Sequence, residues 1–562
     1  MDSMENRVSA GTPTWPDRLA AEYAAAGHWR GKTFGTLMWE WADDRGDDTA
    51  VVDGTVTLTY LDLAVQADAL AEKLLETGLA RGDKIVVQLP NCWQFVVLFF
   101  ACARIGVVPI MTLMPHRDHE LVHIARHGGA TALATPSTWR GYEHEQLAHR
   151  VGEAVPAVRT LLVVREDGAP GTPSDGCLDL TAMCTPAGDA DVRRKKLDES
   201  AVRSRDVVTF LLSGGTTGLP KLIGRTHDDY EYNARRSAEV CGFTAKTVYL
   251  ATMSASHNFS LACPGLLGTF AVGGTAVLIP TPSPQNAFAA IERERVTVTA
   301  LAPSVAKHWM DTLAAEPGRF DLSSLETLQI GSARLATELA KRVQPIFGCR
   351  LQQVYGMAEG LLCYTRLDDP DEVVDATQGR PMSPADEIRV VDSNGNPVPH
   401  GEMGLLETRG PYTIRGYYDA REVNAQSFTP DGWFRTGDIV RVHESGNLMI
   451  EGRSRDIINR AGEKISAEEV ENHLYLLAAV QHAAVIAVPD ERTGERICAC
   501  VVLHPGTELD LSDVRAIFAE IGVAQYKIPA QLEILDALPL TPARKIDKKG
   551  LRERFSEQVK AG

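Results

Sequence analysis

Leu211-Leu212-Ser213-Gly214-Gly215-Thr216-Thr217-Gly218-Leu219-Pro220-Lys221 closes the apolar run 207–212 and decides how the rest of the chain is read. Gly214, Gly215 and Gly218 let a backbone wrap closely around an anion, while Ser213, Thr216, Thr217 and Lys221 supply donors for phosphate oxygens. A strand running into such a loop predicts a nucleotide-handling α/β fold. The loop is not a Walker A motif, because Pro220 precedes Lys221 and Leu222 follows it.

The rhythm around the loop agrees. Residues 60–135 alternate helical patterns such as 60–78 with short apolar strands such as 84–89 and 107–112, and the alternation resumes at 248–250, 275–279, 296–301 and 327–330. That predicts a mostly parallel sheet covered by helices. The Gly/Pro/Asp-rich stretch 166–188 reads as a surface excursion. From 388 to 454 short strands and Gly/Asn/Asp turns predict a small β-barrel-like unit, and beyond 455 a mixed pattern predicts a compact α+β domain over 455–562. The division expected is an N-terminal extension 1–30, a large domain 31–454 with βα subdomains over 31–387, and a small mobile domain joined at one crossing.

At 562 residues the chain exceeds a single core, and its net charge of -17 argues against nucleic acid or anionic membrane as main partner. Ten cysteines without a C-x-x-C pair predict reduced thiols and a cytoplasmic protein, with Cys498 and Cys500 on one face of a strand. Residues 1–7 carry no apolar signal core, and the hydrophobic window 95–114 is broken by Arg104, Gly106 and Pro109, so a buried helix and strand are expected there.

Further motifs follow in order: Tyr355-Gly356-Met357-Ala358-Glu359-Gly360, Arg435-Thr436-Gly437-Asp438, Gly452-Arg453-Ser454-Arg455-Asp456 and Thr541-Pro542-Ala543-Arg544-Lys545-Ile546. Together with the loop, over residues 30–555, they resemble the adenylate-forming superfamily of acyl-CoA synthetases, luciferases and peptide-synthetase adenylation domains. The resemblance implies ATP and Mg²⁺. It casts 213–221 as the loop on the β- and γ-phosphates, Glu359 as Mg²⁺ ligand, Tyr355 as the ring on adenine within the Gly356-Met357 turn, and Gly331-Ser332-Ala333 as the other adenine wall. Asp438, with Arg453 nearby, would accept the ribose hydroxyls, Lys545 would be the catalytic cation, and Arg455 the hinge. Two departures stand out: Arg544 where the superfamily has glycine, and Ala358 where much of it has threonine.

Within the superfamily, Arg225-Thr226-His227-Asp228-Asp229-Tyr230, His257-Asn258-Phe259-Ser260-Leu261-Ala262-Cys263-Pro264-Gly265 and the Ala358 variant look like the stand-alone salicylate and 2,3-dihydroxybenzoate AMP ligases of siderophore assembly. That branch implies His257 against the carboxylate, Asn258 on the ortho hydroxyl, Phe259 on the aryl ring and Val354 as pocket floor. Cys263 would face the ring's 3-position, where a weakly bonding sulfur favours salicylate. Ser260 stands where close relatives often have proline. The branch further implies transfer of the aryl group to the phosphopantetheine of an aryl carrier protein acting in trans, with the loop 460–465 lining the thiol route. An aryl-CoA synthetase shares the first half-reaction, and a non-catalytic adenylate-binding regulator would follow if Arg544 disables the final motif. A rival of another class is His119-Glu120-Leu121-Val122-His123, an H-E-x-x-H zinc-hydrolase pattern with Glu143 as a possible third ligand.

Overall fold

The computed structural model describes residues 11–165, 176–213, 220–453, 456–460, 463–490, 493–521, 527–541 and 545–561. Two large sheets carry the N-terminal part. One has seven strands, centred on Val207–Leu212, Val108–Met111, Lys84–Val87 and Ala132–Pro136, and is parallel except where Leu222–Thr226 returns antiparallel to Val207–Leu212. The other has nine, with Thr327–Ile330, Val298–Leu301, Val248–Ala251 and Thr275–Leu278 in its parallel middle. Val108–Met111 and Val298–Leu301 are buried along their whole length, as expected for strands covered by helices on both faces.

The hydrophobic window becomes the helix Trp93–Ile105, buried at every position from Gln94 on, followed by the strand Val108–Met111. Arg104, which interrupts the apolar run, pairs inside the protein with Asp68 at 2.7 Å, and Asp68 also accepts from the indole of Trp39 at 3.0 Å. Among the described residues no helix is long and apolar enough to cross a membrane.

The stretch 388–454 forms a four-stranded antiparallel sheet, Glu387–Val391, Gly404–Arg409, Phe434–Val442 and Leu448–Arg453. Its inner face, Leu406, Val440, Leu448 and Ile450, closes against Leu361 and Cys363 of the nine-stranded sheet. The excursion expected over 166–188 is more ordered at its end than its composition suggests: Cys177–Asp179 pairs parallel with Thr160–Val164, and the turn Leu180–Met183 follows. Residues 166–175 lie outside the described residues.

The C-terminal unit is a five-stranded sheet with helices Ala467–Leu474, Leu511–Glu520 and Lys548–Ala561. Cys498 and Cys500 do share a face, their sulfurs 4.0 Å apart, and are buried with Leu551 and Phe555 of the last helix. The strand Gln531–Ile534 and that last helix complete the unit.

One buried ion pair ties the return strand Leu222–Thr226 to what lies beyond it. Arg225, on the return strand, is fully buried with Asp229, 2.6 Å away. Its remaining guanidinium nitrogens donate to the carbonyls of Ala358 at 3.1 Å and Tyr412 at 3.3 Å. Removing the cation strands a buried carboxylate, so Arg225→Met is expected to lower the apparent unfolding free energy by about 3–5 kcal/mol in urea denaturation. A loss below about 1 kcal/mol would contradict a structural role for the pair.

Candidate active site

Strand Val207–Leu212 delivers Ser213 to the neck of the phosphate loop, and the neck is closed by two bonds. The Ser213 amide donates to the Lys221 carbonyl at 3.0 Å, and the Lys221 amide donates to Ser213 Oγ at 3.1 Å. Gly214, Gly215, Thr216, Thr217 and Gly218 lie outside the described residues. The Lys221 ammonium sits 5.1 Å from the centre of the Tyr417 ring, and the Tyr417 hydroxyl donates to Glu359 Oε1 at 2.9 Å. Burial, reinforced by the Glu359 charge, pushes the Tyr417 phenol well above its ordinary range, so it stays a donor. Tyr417 thus joins the loop lysine to the motif glutamate, a role that no sequence motif marks. The Glu359 carbonyl accepts from the Ile414 amide at 2.8 Å, which fixes the turn after Tyr355-Gly356-Met357.

Across the cleft, Asp438 and Arg453 are direct partners on antiparallel strands. Arg453 Nε lies 2.6 Å from Asp438 Oδ1, and the Tyr355 hydroxyl donates to Asp438 Oδ2 at 2.6 Å. Tyr355 therefore contributes more than a ring face: its hydroxyl orients the carboxylate. Each carboxylate oxygen has two lone pairs, so Asp438 remains able to accept further hydroxyls. Ser332 adopts φ 68°, a left-handed backbone unusual for a non-glycine residue, and its buried Oγ has no partner among the described residues. Ser332, Ala333, Val354, Tyr355, Gly356, Asp438, Arg453 and Lys545 all line one cavity of about 590 Å³.

His257 caps the short helix Asn258–Ala262, its Nδ1 accepting from the Phe259 amide at 3.2 Å. Burial and the nearby Lys545 charge push its pKa down to about 4. The imidazole is consequently neutral at physiological pH, and with Nδ1 an acceptor its Nε2 carries the proton. The turn bearing His257 is braced by Asn91, which donates to the carbonyls of Ala251 and Met253, both at 2.9 Å, and accepts from the Ala255 amide at 2.7 Å. Asn258 Oδ1 accepts from the buried Tyr230 hydroxyl at 2.9 Å, which leaves the amide nitrogen as the donor. A Cβ on Gly331 would meet the Val354 carbonyl at 2.7 Å and the Phe259 ring at 3.0 Å, so glycine lets that wall and ring close up. Cys263 is buried; its thiol is pushed up to about 12 by burial and is neutral. Ser260 donates to the Met253 carbonyl at 3.2 Å, a tie within the scaffold.

The structure brings Lys545 of the C-terminal unit to the same cleft as Tyr355, Asp438 and Arg453. Thr541 and Lys545 close the neck of their loop, the Thr541 amide donating to the Lys545 carbonyl at 2.7 Å. Arg455 and Arg544 lie outside the described residues. The H-E-x-x-H segment does form the helix Asp118–Gly128, but Glu120 accepts from the Arg117 amide at 3.0 Å as a helix brace, and His123 stacks on His127. Among the described residues, neither Glu143 nor any other side chain joins His119 and His123 as a third ligand.

Residues 38–418 match the AMP-binding enzyme family, and residues 469–545 match the AMP-binding enzyme C-terminal domain. The chain is 54% identical over 540 residues to a Streptomyces protein named salicylyl-CoA synthase / salicylate adenylyltransferase, covering 96% of each. It is 46% identical to the 2,3-dihydroxybenzoate-AMP ligase of Bacillus subtilis, covering 98% of this chain and 99% of that one. The apo structure of Mycobacterium smegmatis MbtA superposes with a TM-score of 0.74 at 42% identity, covering 98% of this chain and 99% of that one.

The neutral state of His257 has a thermodynamic signature. Unfolded histidine binds its proton near pH 6.5, whereas folded His257 does so only at about 4. Between these values the unfolded state holds the extra proton, so stability falls as pH drops through this window and is unaffected above it. The loss between about pH 6.5 and 4.5 should be about 2–3 kcal/mol smaller in His257→Asn than in wild type, measured by denaturant titration at each pH. Equal losses would mean that His257 protonates freely in the folded protein.

Proposed function

The chain belongs to the family of AMP-binding enzymes, and from that premise we propose that it is an ATP-dependent aryl acid AMP ligase acting on salicylate or a closely related 2-hydroxyaryl acid. In the first step an oxygen of the aryl carboxylate bonds to the α-phosphorus of ATP while the bond to pyrophosphate breaks. In the second, the sulfur of a phosphopantetheine thiol bonds to the acyl carbon, AMP departs and the thiol loses its proton. The observation that carries the reading is that Lys545 lines the cleft holding the Tyr355–Asp438–Arg453 cluster while its charge is felt at His257.

Two anions must approach each other in the first step, and this site answers with a fixed cation. Lys545 neutralises the carboxylate and the α-phosphate as charge shifts toward the leaving pyrophosphate. Neutral His257 donates from Nε2 to the acid's carboxylate without adding a charge that would hold it back. Asp438 takes the ribose hydroxyls, and Tyr355 with Gly331, Ser332 and Ala333 encloses the base. Ser213, Lys221 and the loop between them engage the β- and γ-phosphates. Glu359 suits Mg²⁺, a hard cation that takes oxygen ligands: its carboxylate is half-buried and held by Tyr417, whose ring carries the Lys221 ammonium. When bound there, Mg²⁺ would neutralise phosphate charge.

Substrate choice follows from donors and volume. With its oxygen held by Tyr230, Asn258 offers N–H to an ortho hydroxyl, and the neutral thiol of Cys263 fills space beside the 3-position. A second cavity of about 310 Å³, lined by Trp139, Arg140, Met253, Pro282 and Val305, reaches His257 and offers the thiol a route. The acceptor we assign is the phosphopantetheine of an aryl carrier protein in the cytoplasm, in line with the siderophore-type ligases the sequence resembles. The name of the 54% identical Streptomyces relative favours a second reading, in which the same thiol belongs to CoA. Supplying each acceptor to enzyme charged with salicyl-adenylate separates the two.

Asn258→Ala tests the substrate. Benzoate has no ortho hydroxyl to lose, so the variant should reduce kcat/KM for salicylate about tenfold or more relative to benzoate, about 1.4 kcal/mol of discrimination. Equal losses for both acids would show that Asn258 only braces Tyr230.

A further inference from the structure

Away from the cleft, three metal-ligating side chains converge. Helix His144–Ala154 carries Glu145 and His149 one turn apart on the same face. The edge strand Cys177–Asp179, paired with Thr160–Val164, brings Cys177 against them. Cys177 Sγ and His149 Nε2 are 3.5 Å apart, and one ligand atom from each of the three residues lies within 4.8 Å of the other two. A tetrahedral ion bound at about 2.3 Å from sulfur and about 2.0 Å from imidazole nitrogen separates those two atoms by about 3.5 Å. The Glu145 side chain is only 14% exposed, and its Oε2 lies 3.5 Å from Arg165 Nη2.

We propose that Glu145, His149 and Cys177 form a binding site for a zinc-class divalent ion, with solvent in the fourth position. A thiolate, an imidazole and a carboxylate are the ligand set of borderline-soft Zn²⁺ rather than of Mg²⁺ or Ca²⁺. On binding, the sulfur–metal bond replaces the sulfur–hydrogen bond and the Cys177 proton passes to solvent. His149 binds through Nε2, so its other nitrogen keeps the proton. The ion would clip the edge strand to the helix. The hairpin just before that helix supplies Trp139 and Tyr142 to the wall of the 310 Å³ cavity that reaches His257, so the clip would steady that wall. The site shares no residue with His119-Glu120-x-x-His123, whose glutamate is already a helix brace.

The test uses the full-length chain stripped with a chelator and titrated with Co²⁺, then with Zn²⁺. Wild type should bind one Co²⁺ with thiolate-to-cobalt charge-transfer absorption in the near ultraviolet, and Zn²⁺ should displace it and raise the thermal midpoint. Cys177→Ser should lose the absorption, and both Cys177→Ser and His149→Gln should weaken Zn²⁺ binding at least about tenfold, while salicylate-dependent pyrophosphate exchange persists without metal at this site. His149→Gln keeps the test open if the serine variant folds poorly. No charge transfer in wild type, undiminished charge transfer in Cys177→Ser, or equal Zn²⁺ stabilisation of wild type and both variants would overturn the proposal and leave a thiol–imidazole contact beside a carboxylate–guanidinium pair.

Discussion

A single cation with no access to water organises the two sides of the cleft. Arg225 is 0% exposed and must satisfy its donors internally, because an uncompensated buried charge costs several kcal/mol, on the order of 3–5. It does so through Asp229, Asn233 and the carbonyls of Ala358 and Tyr412. Those partners are chosen by position. Ala358 precedes Glu359, and the segment after Tyr412 delivers Tyr417 to Glu359. The guanidinium also lies 4.7 Å from the centre of the Tyr230 ring, whose hydroxyl holds Asn258. The requirement to satisfy one buried charge therefore fixes the geometry of the proposed phosphate and aryl sides together.

The contacts between the C-terminal unit and the large domain are of another kind. The unit has cores of its own, built on Ile458, Val470, Val485 and Phe518 and on Ile486, Cys498 and Phe555. Across the junction the contacts are mixed: Ser466 Oγ donates to the Glu451 carbonyl, the Lys545 charge acts on His257, and Tyr475 packs against the core that includes Leu339 and Val343. Glu468 sits half-buried there, with one buried oxygen that has no partner among the described residues and a pKa raised by burial to about 7.

Local pattern made much of the scaffold legible. Strand Thr327–Ile330 and helix Tyr60–Glu76 follow the residues their periodicity marked, because hydrophobic spacing and capping act within a few residues. The strand Cys177–Asp179 escaped notice, since its three residues owe their form to the neighbouring strand, and their own spacing gives little sign of it. The site divides in the same way. Tyr355, Asp438, Arg453 and Lys545 stand in motifs and meet at one cavity. Tyr417, Tyr230 and Asn91 act only through residues far away in sequence, so nothing near them reveals their part. The histidine pair at 119 and 123 shows the opposite limit: the helix forms, but a zinc site needs a third ligand from elsewhere, and among the described residues the fold supplies none.

We assign to Lys545 the positive charge for adenylation in this cleft, and salicylate-dependent exchange of labelled pyrophosphate into ATP measures that step alone. Wild type should show robust exchange and Lys545→Ala a loss of about two to three orders of magnitude, with thioester formation from supplied salicyl-adenylate largely retained. Exchange in Lys545→Ala within a few-fold of wild type, or no exchange in wild type with any 2-hydroxyaryl acid, would contradict it.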